Sequence, residues 1–208
     1  MSQQDNHNLF KEAYARYAVA IARPLPPGKI TFEQFLAWAD EDTLAEWVEG
    51  EVVLMTPASL NHQRLAGFLL VILREFVITH DLGEVLFAPF LVRLPEPLKS
   101  AREPDLIFVA KENSPLLKPT YLDGAPDLVV EITSLESLNR DRHVKFTEYE
   151  QAGVKEYWLI HPDTRDAEFF QLHDGQYRQI RPDEDGVYTS RVLPGFSLKL
   201  DELWEELT

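Results

Sequence analysis

Asp105 and Glu131 are the pair of residues in this chain best placed to do chemistry together. Asp105 stands immediately before the run Leu106 to Val109, and Glu131 near the end of the run Leu128 to Ile132. Both runs are short, rich in β-branched and aromatic residues and bounded by Pro, Gly or Asn, which is the pattern of buried strands. Paired antiparallel, the start of the first lies opposite the end of the second, and Asp105 comes to rest beside Glu131. Two close carboxylates repel, so a site of this kind binds a cation or shares a proton. A divalent metal site with Asp105 and Glu131 as ligands is the first expectation.

Other residues can be ranked against that pair. Strand side chains alternate faces, so Glu131 shares its face with Val129 and Asp127. Asp127 lies four residues away, about 13 Å along the strand. That is too far to share a metal, and Asp127 reads as a turn residue that starts the strand after Pro126. Lys145 falls on a predicted helix, on one stripe with Phe146, Tyr149 and Ala152. A lysine on the packed side of a helix needs an anion to receive it, and the helix begins a short loop after Glu131. A cation beside paired carboxylates suits phosphoryl chemistry; alone, Lys145 also fits a snorkelling residue at the core's rim. Glu46, before Trp47-Val48, is a third acid able to complete a metal shell or orient a water. The histidines are scattered without zinc-type spacing. With no cysteine and only oxygen ligands, magnesium is expected, or manganese, rather than zinc.

Elements must carry these residues to one place. The chain has 208 residues, 45% of them hydrophobic, enough for one substantial core. Residues 1–28 read as an N-terminal extension, with a helix over Leu9 to Ala22 broken by the Pro24–Gly28 segment. The domain occupies residues 29–208. Thr31 and Gln34 have capping-box spacing at the start of a helix. Glu46 to Met55 is a strand pair or bent strand around Gly50. Asn61 opens a long helix with Leu65, Leu69, Ile72 and Phe76 on one stripe. Val85 to Leu94 reads as one strand, followed by a loop through Pro95, Pro97 and Ser100. Asp141 to Ala152 is a helix stopped by Gly153, and Glu156 to Ile160 a strand. Residues 166–172, 176–181 and 187–193 read as a β-meander, and Phe196 to Leu207 closes the chain as a helix or a loop and helix. The sum is an α/β domain: a central mixed β-sheet flanked by helices, with a C-terminal β-meander.

Charge and composition restrict the function. The net charge is −15, so no broad basic face for nonspecific nucleic-acid adhesion is expected. Arg93, Lys99, Arg102, Arg140, Arg142 and Lys145 border the site in sequence and read either as a small basic patch or, for most of them, as ordinary solvated charges. The longest apolar run, Leu65 to Leu73, is roughly half the ~20 residues that span a bilayer. No signal-peptide pattern opens the sequence, and absent cysteines give no sign of an oxidising compartment. The expectation is a soluble cytoplasmic protein without a membrane partner.

From Ile30 to Leu200 the chain resembles the Uma-type restriction endonucleases, a branch of the PD-(D/E)xK nuclease superfamily. The likeness rests on Glu46-Trp47-Val48-Glu49-Gly50, on Pro57, Ser59 and His62, on Arg102-Glu103-Pro104-Asp105 and on Pro126 to Ser134. Asp141, Lys145, Tyr149 and the block Gly153 to Ile160 complete it. The resemblance implies a restriction-endonuclease-like fold whose metal site uses Asp105 and Glu131, joined by Glu46. One departure matters. The superfamily lysine belongs two residues after the Glu, where this chain has Thr133, and Lys145 is its replacement from the next helix. Magnesium-dependent hydrolysis of DNA is the function implied, with Asp105, Glu131, Glu46 and Lys145 catalytic. A homodimer is expected because cutting both strands takes two sites. Two alternatives stay open: a weak or inactive nuclease-fold protein that binds nucleic acid or protein, and a nuclease for RNA or branched DNA.

Overall fold

A computed structural model describes residues 24–40, 43–134 and 137–207. The helix predicted over Leu9 to Ala22 lies outside the described residues. In chain order the elements are helix α1 (Phe32–Trp38), strands β1 (Ala45–Val48) and β2 (Glu51–Leu54), and helix α2 (Leu60–Thr79). Then come β3 (Gly83–Phe87), β4 (Leu91–Arg93), β5 (Ser100–Arg102) and β6 (Leu106–Ala110). A 3-10 turn (Lys111–Leu116), β7 (Tyr121–Asp123) and β8 (Leu128–Ile132) follow. A π-helical turn (Arg140–Lys145) runs directly into α3 (Phe146–Ala152). The chain closes with β9 (Glu156–His161), β10 (Asp166–His173), β11 (Gln176–Ile180), β12 (Val187–Thr189), β13 (Ser197–Lys199) and α4 (Leu200–Glu205).

The central sheet has the order β11-β10-β9-β8-β6-β3. Only β8 and β9 run parallel in it. That pair requires a crossover, which the π turn and α3 supply. Side-chain alternation divides β8 between two cores. Leu128, Val130 and Ile132 pack with Leu65, Leu69, Leu73 and Val77 of α2. Val129 faces the opposite layer, with Tyr149 of α3, Tyr157 and Leu159. Glu131 is on Val129's side, where a strand of period two must put it. A second sheet, β2-β1-β5-β4-β7, carries α1 through a small core of Phe32, Phe35, Ala45, Trp47 and Ala101.

Local chemistry accounts for most boundaries. Thr31 and Gln34 form the reciprocal capping box at α1, and Ser59 caps α2 by accepting the His62 N–H. Gly153 ends α3 in the left-handed region at φ 84°, a conformation that costs glycine least. Leu65 and Leu69 of the predicted α2 stripe are fully buried, but the deepest line continues through Leu73 and Val77, with Ile72 and Phe76 beside it.

Three expectations need correction. Val85 to Leu94 is not one strand: β3 and β4 belong to different sheets, separated at Pro89, which has no N–H to give a ladder. Ser100 is the first residue of β5, not part of a loop, and pairs with Val48 of β1. The meander is β9-β10-β11; the third strand expected after β10 and β11 leaves it, and β12 pairs with β13 instead.

Candidate active site

The site forms where β6 begins and β8 ends. These strands pair antiparallel with Leu106 opposite Val130 and Ile107 opposite Val129. One step further along that register, Asp105 stands level with Glu131. Asp105 Oδ2 accepts the Ile132 N–H at 2.6 Å, which ties the acid to the tail of β8. Its Oδ1 lies 2.9 Å from His62 Nε2 on α2.

Lys145 approaches from the other layer. It sits where the π turn becomes α3, a wide-turn distortion often found at functional sites. Its side chain is 1% exposed, with Nζ 2.8 Å from Glu131 Oε1, 3.1 Å from Glu46 Oε1 and 3.6 Å from Asp141 Oδ1. Tyr149, one turn later, donates its hydroxyl to the same Glu131 oxygen at 2.8 Å. Glu46 is fully buried in β1. It accepts from Arg102 Nη1 at 2.8 Å and from the Glu103 N–H at 3.3 Å. Arg102 grips Glu148 with Nε and Nη2 at 2.7 and 2.8 Å, so β1, β5 and α3 are joined through one guanidinium.

Charge in this cluster is unevenly shared. Burial works against ionisation of Glu46, but Lys145 and Arg102 outweigh it and hold the carboxyl at about 2. Burial likewise works against the Lys145 ammonium, and Glu131, Glu46 and Asp141 together keep it protonated beyond the ordinary range. Glu131 is raised: burial is the main cause, Lys145 opposes it, and Asp141 and Asp105 add to it. Burial and the Glu46 charge push Glu103 up to about 7. The His62 ring is desolvated, yet the hydrogen bond and charge of Asp105 raise its affinity for a proton. Burial is the main cause at both Glu131 and Glu103, and neighbouring carboxylates add to it.

Of the residues expected from the sequence, the structure joins Glu46, Glu131 and Lys145 by direct contact. Asp105 completes the edge through the strand register. Asp105 and Glu131 offer hard oxygen donors. Among the described residues no group of three or more His, Cys, Asp or Glu side chains is gathered to hold a metal ion. Thr133, in the motif lysine's position, is buried and bonds to Ser137 Oγ and the Ser134 carbonyl. Asp127 starts β8 at the far end, where it accepts the Ala110 N–H and pairs with Lys155.

Most of the basic residues that border the site in sequence are held by acids or an aromatic ring. Arg102 and Lys145 are buried in the acid network, Arg93 lies over the Phe32 ring, and Arg142 pairs with Glu168. Three participants escaped the sequence reading. His62 was visible only through its segment with Pro57 and Ser59; its contact with Asp105 depends on how α2 lies on the sheet. The Tyr149 hydroxyl could have been read from its four-residue spacing to Lys145. The Glu46–Arg102–Glu148 chain carries no local signal, because its members are remote in sequence.

Comparison with known proteins bears on the fold and the family. A crystal structure from Anabaena variabilis ATCC 29413, described as a "putative nuclease belonging to DUF820", superposes with a TM-score of 0.73. The match covers 86% of this chain and 99% of that one at 15% identity, a likeness of fold. No curated protein matches by sequence. The family model Uma2, described as "Putative restriction endonuclease", matches residues 32–201. The chain belongs to the Uma2 family.

Proposed function

We propose that the protein is a metal-dependent endonuclease that hydrolyses DNA, with Asp105, Glu131, Glu46 and Lys145 as its working residues. The observation that carries this reading is the Lys145 ammonium fixed on Glu131 at 2.8 Å, beside the strand end that holds Asp105. The donor set fits Mg2+, or Mn2+, which takes one or two protein carboxylates and fills its shell with water. Burial, and after it the charges of Asp141 and Asp105, raise Glu131, and a divalent cation beside it would favour the ionised carboxylate. Asp105 and Glu131 would hold it; when bound, such an ion lowers the pKa of its water and polarises a phosphate.

The remaining residues act around that pair. Lys145 supplies a fixed positive charge where negative charge builds on the phosphoryl group. Glu46 and Asp141 keep Lys145 charged and in place, and Tyr149 orients Glu131. His62 fixes the rotamer of Asp105. Thr133 leaves the motif position small, and the amine arrives from α3 instead. Cutting both strands of a duplex takes two such sites, hence two copies of the chain.

Supercoiled plasmid, single-stranded DNA and RNA, each with and without Mg2+ or Mn2+, test the reading. Plasmid cleavage should require the ion and fall more than about 100-fold in Asp105→Asn and Glu131→Gln. Both variants keep an oxygen for the Ile132 N–H, Lys145 and Tyr149, so the fold should survive. Cleavage that persists in both would place the chemistry elsewhere. Faster cleavage of RNA would reassign the substrate. Calorimetry that finds no ion binding dependent on these acids would leave a nuclease fold used for binding alone.

A further inference from the structure

Helix α2 turns one face to the sheet, and among the described residues nothing covers the opposite face. At 3.6 residues per turn, Leu60, Gly67, Val71 and Ile78 fall within about 20° of one line. Leu60, Val71 and Ile78 are 68%, 62% and 65% exposed, and Gly67 is exposed between them. Glycine in the middle of an exposed helix weakens it. Among the described residues, nothing outside its own helix backbone and chain neighbours lies within 4 Å of where a Gly67 Cβ would stand, so no contact among them explains the missing side chain. A backbone approaching from outside would.

We propose that this face is the contact between two copies of the chain, packed as an antiparallel helix pair about a two-fold axis level with Leu69. The face is its own complement under that operation. Leu60 of one copy meets Ile78 of the other, and Gly67 meets Val71, on both sides of the axis. Charge follows the same symmetry. Arg64 and Glu75 lie on one flank of the apolar line, Gln63 and Arg74 on the other. The two-fold sets each flank against its own reversed copy, so Arg64 faces Glu75 and Gln63 faces Arg74, each contact occurring twice. Isologous pairing of one patch with itself is the usual geometry of a homodimer, and an unrelated partner would have no use for this internal symmetry. The helix footprint, about 30 Å by 10 Å, is smaller than the ~800 Å² per partner of a standard interface. A contact this small is a weak, reversible one. No residue it uses belongs to the candidate active site, and the proposal stands or falls apart from the nuclease reading.

Sedimentation equilibrium of the full chain across the micromolar range tests it. A reversible monomer–dimer equilibrium is expected, weakened about tenfold or more by Val71→Glu, which buries a charge at the contact. Arg64→Glu and Glu75→Arg should each weaken it, and the double variant should recover it. All these positions are exposed, so circular dichroism and melting should match the wild type. A chain that stays monomeric throughout would overturn the proposal, as would a dimer indifferent to Val71→Glu. A double variant no better than either single one would overturn the antiparallel arrangement.

Discussion

Glu46 shows how one side chain can belong to stability and to chemistry together. Its carboxylate is fully buried and sits between Lys145 and Arg102, which hold its pKa at about 2 against an unfolded value of 4.5. A depressed acid binds its proton more weakly in the folded state. The stabilisation is therefore complete above pH 4.5 and is lost as the pH falls from there towards 2. Its full size is about 3 kcal/mol. Glu103 has the opposite sign. Raised to about 7, it stabilises fully below pH 4.5 and loses that contribution as the pH climbs through 7. The two groups together put the site's best stability near pH 4.5. Urea unfolding measured from pH 2.5 to 8 checks this: Glu46→Gln should flatten the acid side of the profile, and Glu103→Gln the neutral side. An acid limb unchanged by Glu46→Gln would mean that Lys145 and Arg102 do not hold this carboxylate.

At the level of elements, the C-terminal ribbon depends on a second buried acid. Glu156, at the head of β9, is fully buried. It accepts from Trp158 Nε1, the Tyr188 hydroxyl, Ser190 Oγ and the Arg191 and Val192 N–H groups. Removing the carboxylate leaves those donors unpaired next to the core, at a cost of about 1–3 kcal/mol for each one that water cannot reach. Glu156→Ala should therefore lower the unfolding free energy by about 3 kcal/mol or more, and Glu156→Gln by less, in denaturant titration. Equal losses would show that packing and not hydrogen bonding holds the ribbon. This acid was not legible in the sequence, since its partners stand on three segments and their spacing has no period. The β6–β8 pairing was legible. Two short apolar runs ending in Asp105 and Glu131 can bury both faces only by lying side by side, and alternation then fixes the side on which Glu131 emerges. Lys145 was legible in part: helical spacing put it on the packed side with Tyr149, but Glu46 as a second partner required β1 to lie in another sheet. The single strand expected over Val85 to Leu94 breaks for a local reason, because Pro89 interrupts the apolar run. The role of His62 was not legible for a long-range reason, since nothing near it in sequence reveals Asp105.

For the molecule as a whole, a net charge of −15 sets the terms on which it could meet DNA. Binding through many phosphate contacts makes affinity fall steeply with salt, and Arg102 and Lys145, buried among acids, are not free to make such contacts. On the proposed function, productive engagement depends on a metal held by Asp105 and Glu131 and on presenting two sites to one duplex. The proposed helix pair through α2 would supply the second. If both proposals hold, the dimer should convert supercoiled plasmid to linear product within single encounters, because each copy serves one strand. Val71→Glu leaves Asp105, Glu131 and Lys145 untouched and separates the copies. It should retain strand scission but release nicked circles first, with linear product appearing only after independent second cuts. The ratio of linear to nicked plasmid at low conversion measures this directly, and raising the protein concentration should restore the ratio for wild type more readily than for the variant. A Val71→Glu protein shown to be monomeric that still linearises plasmid as wild type does would separate cleavage from assembly, and would mean that one copy turns from strand to strand without leaving the duplex.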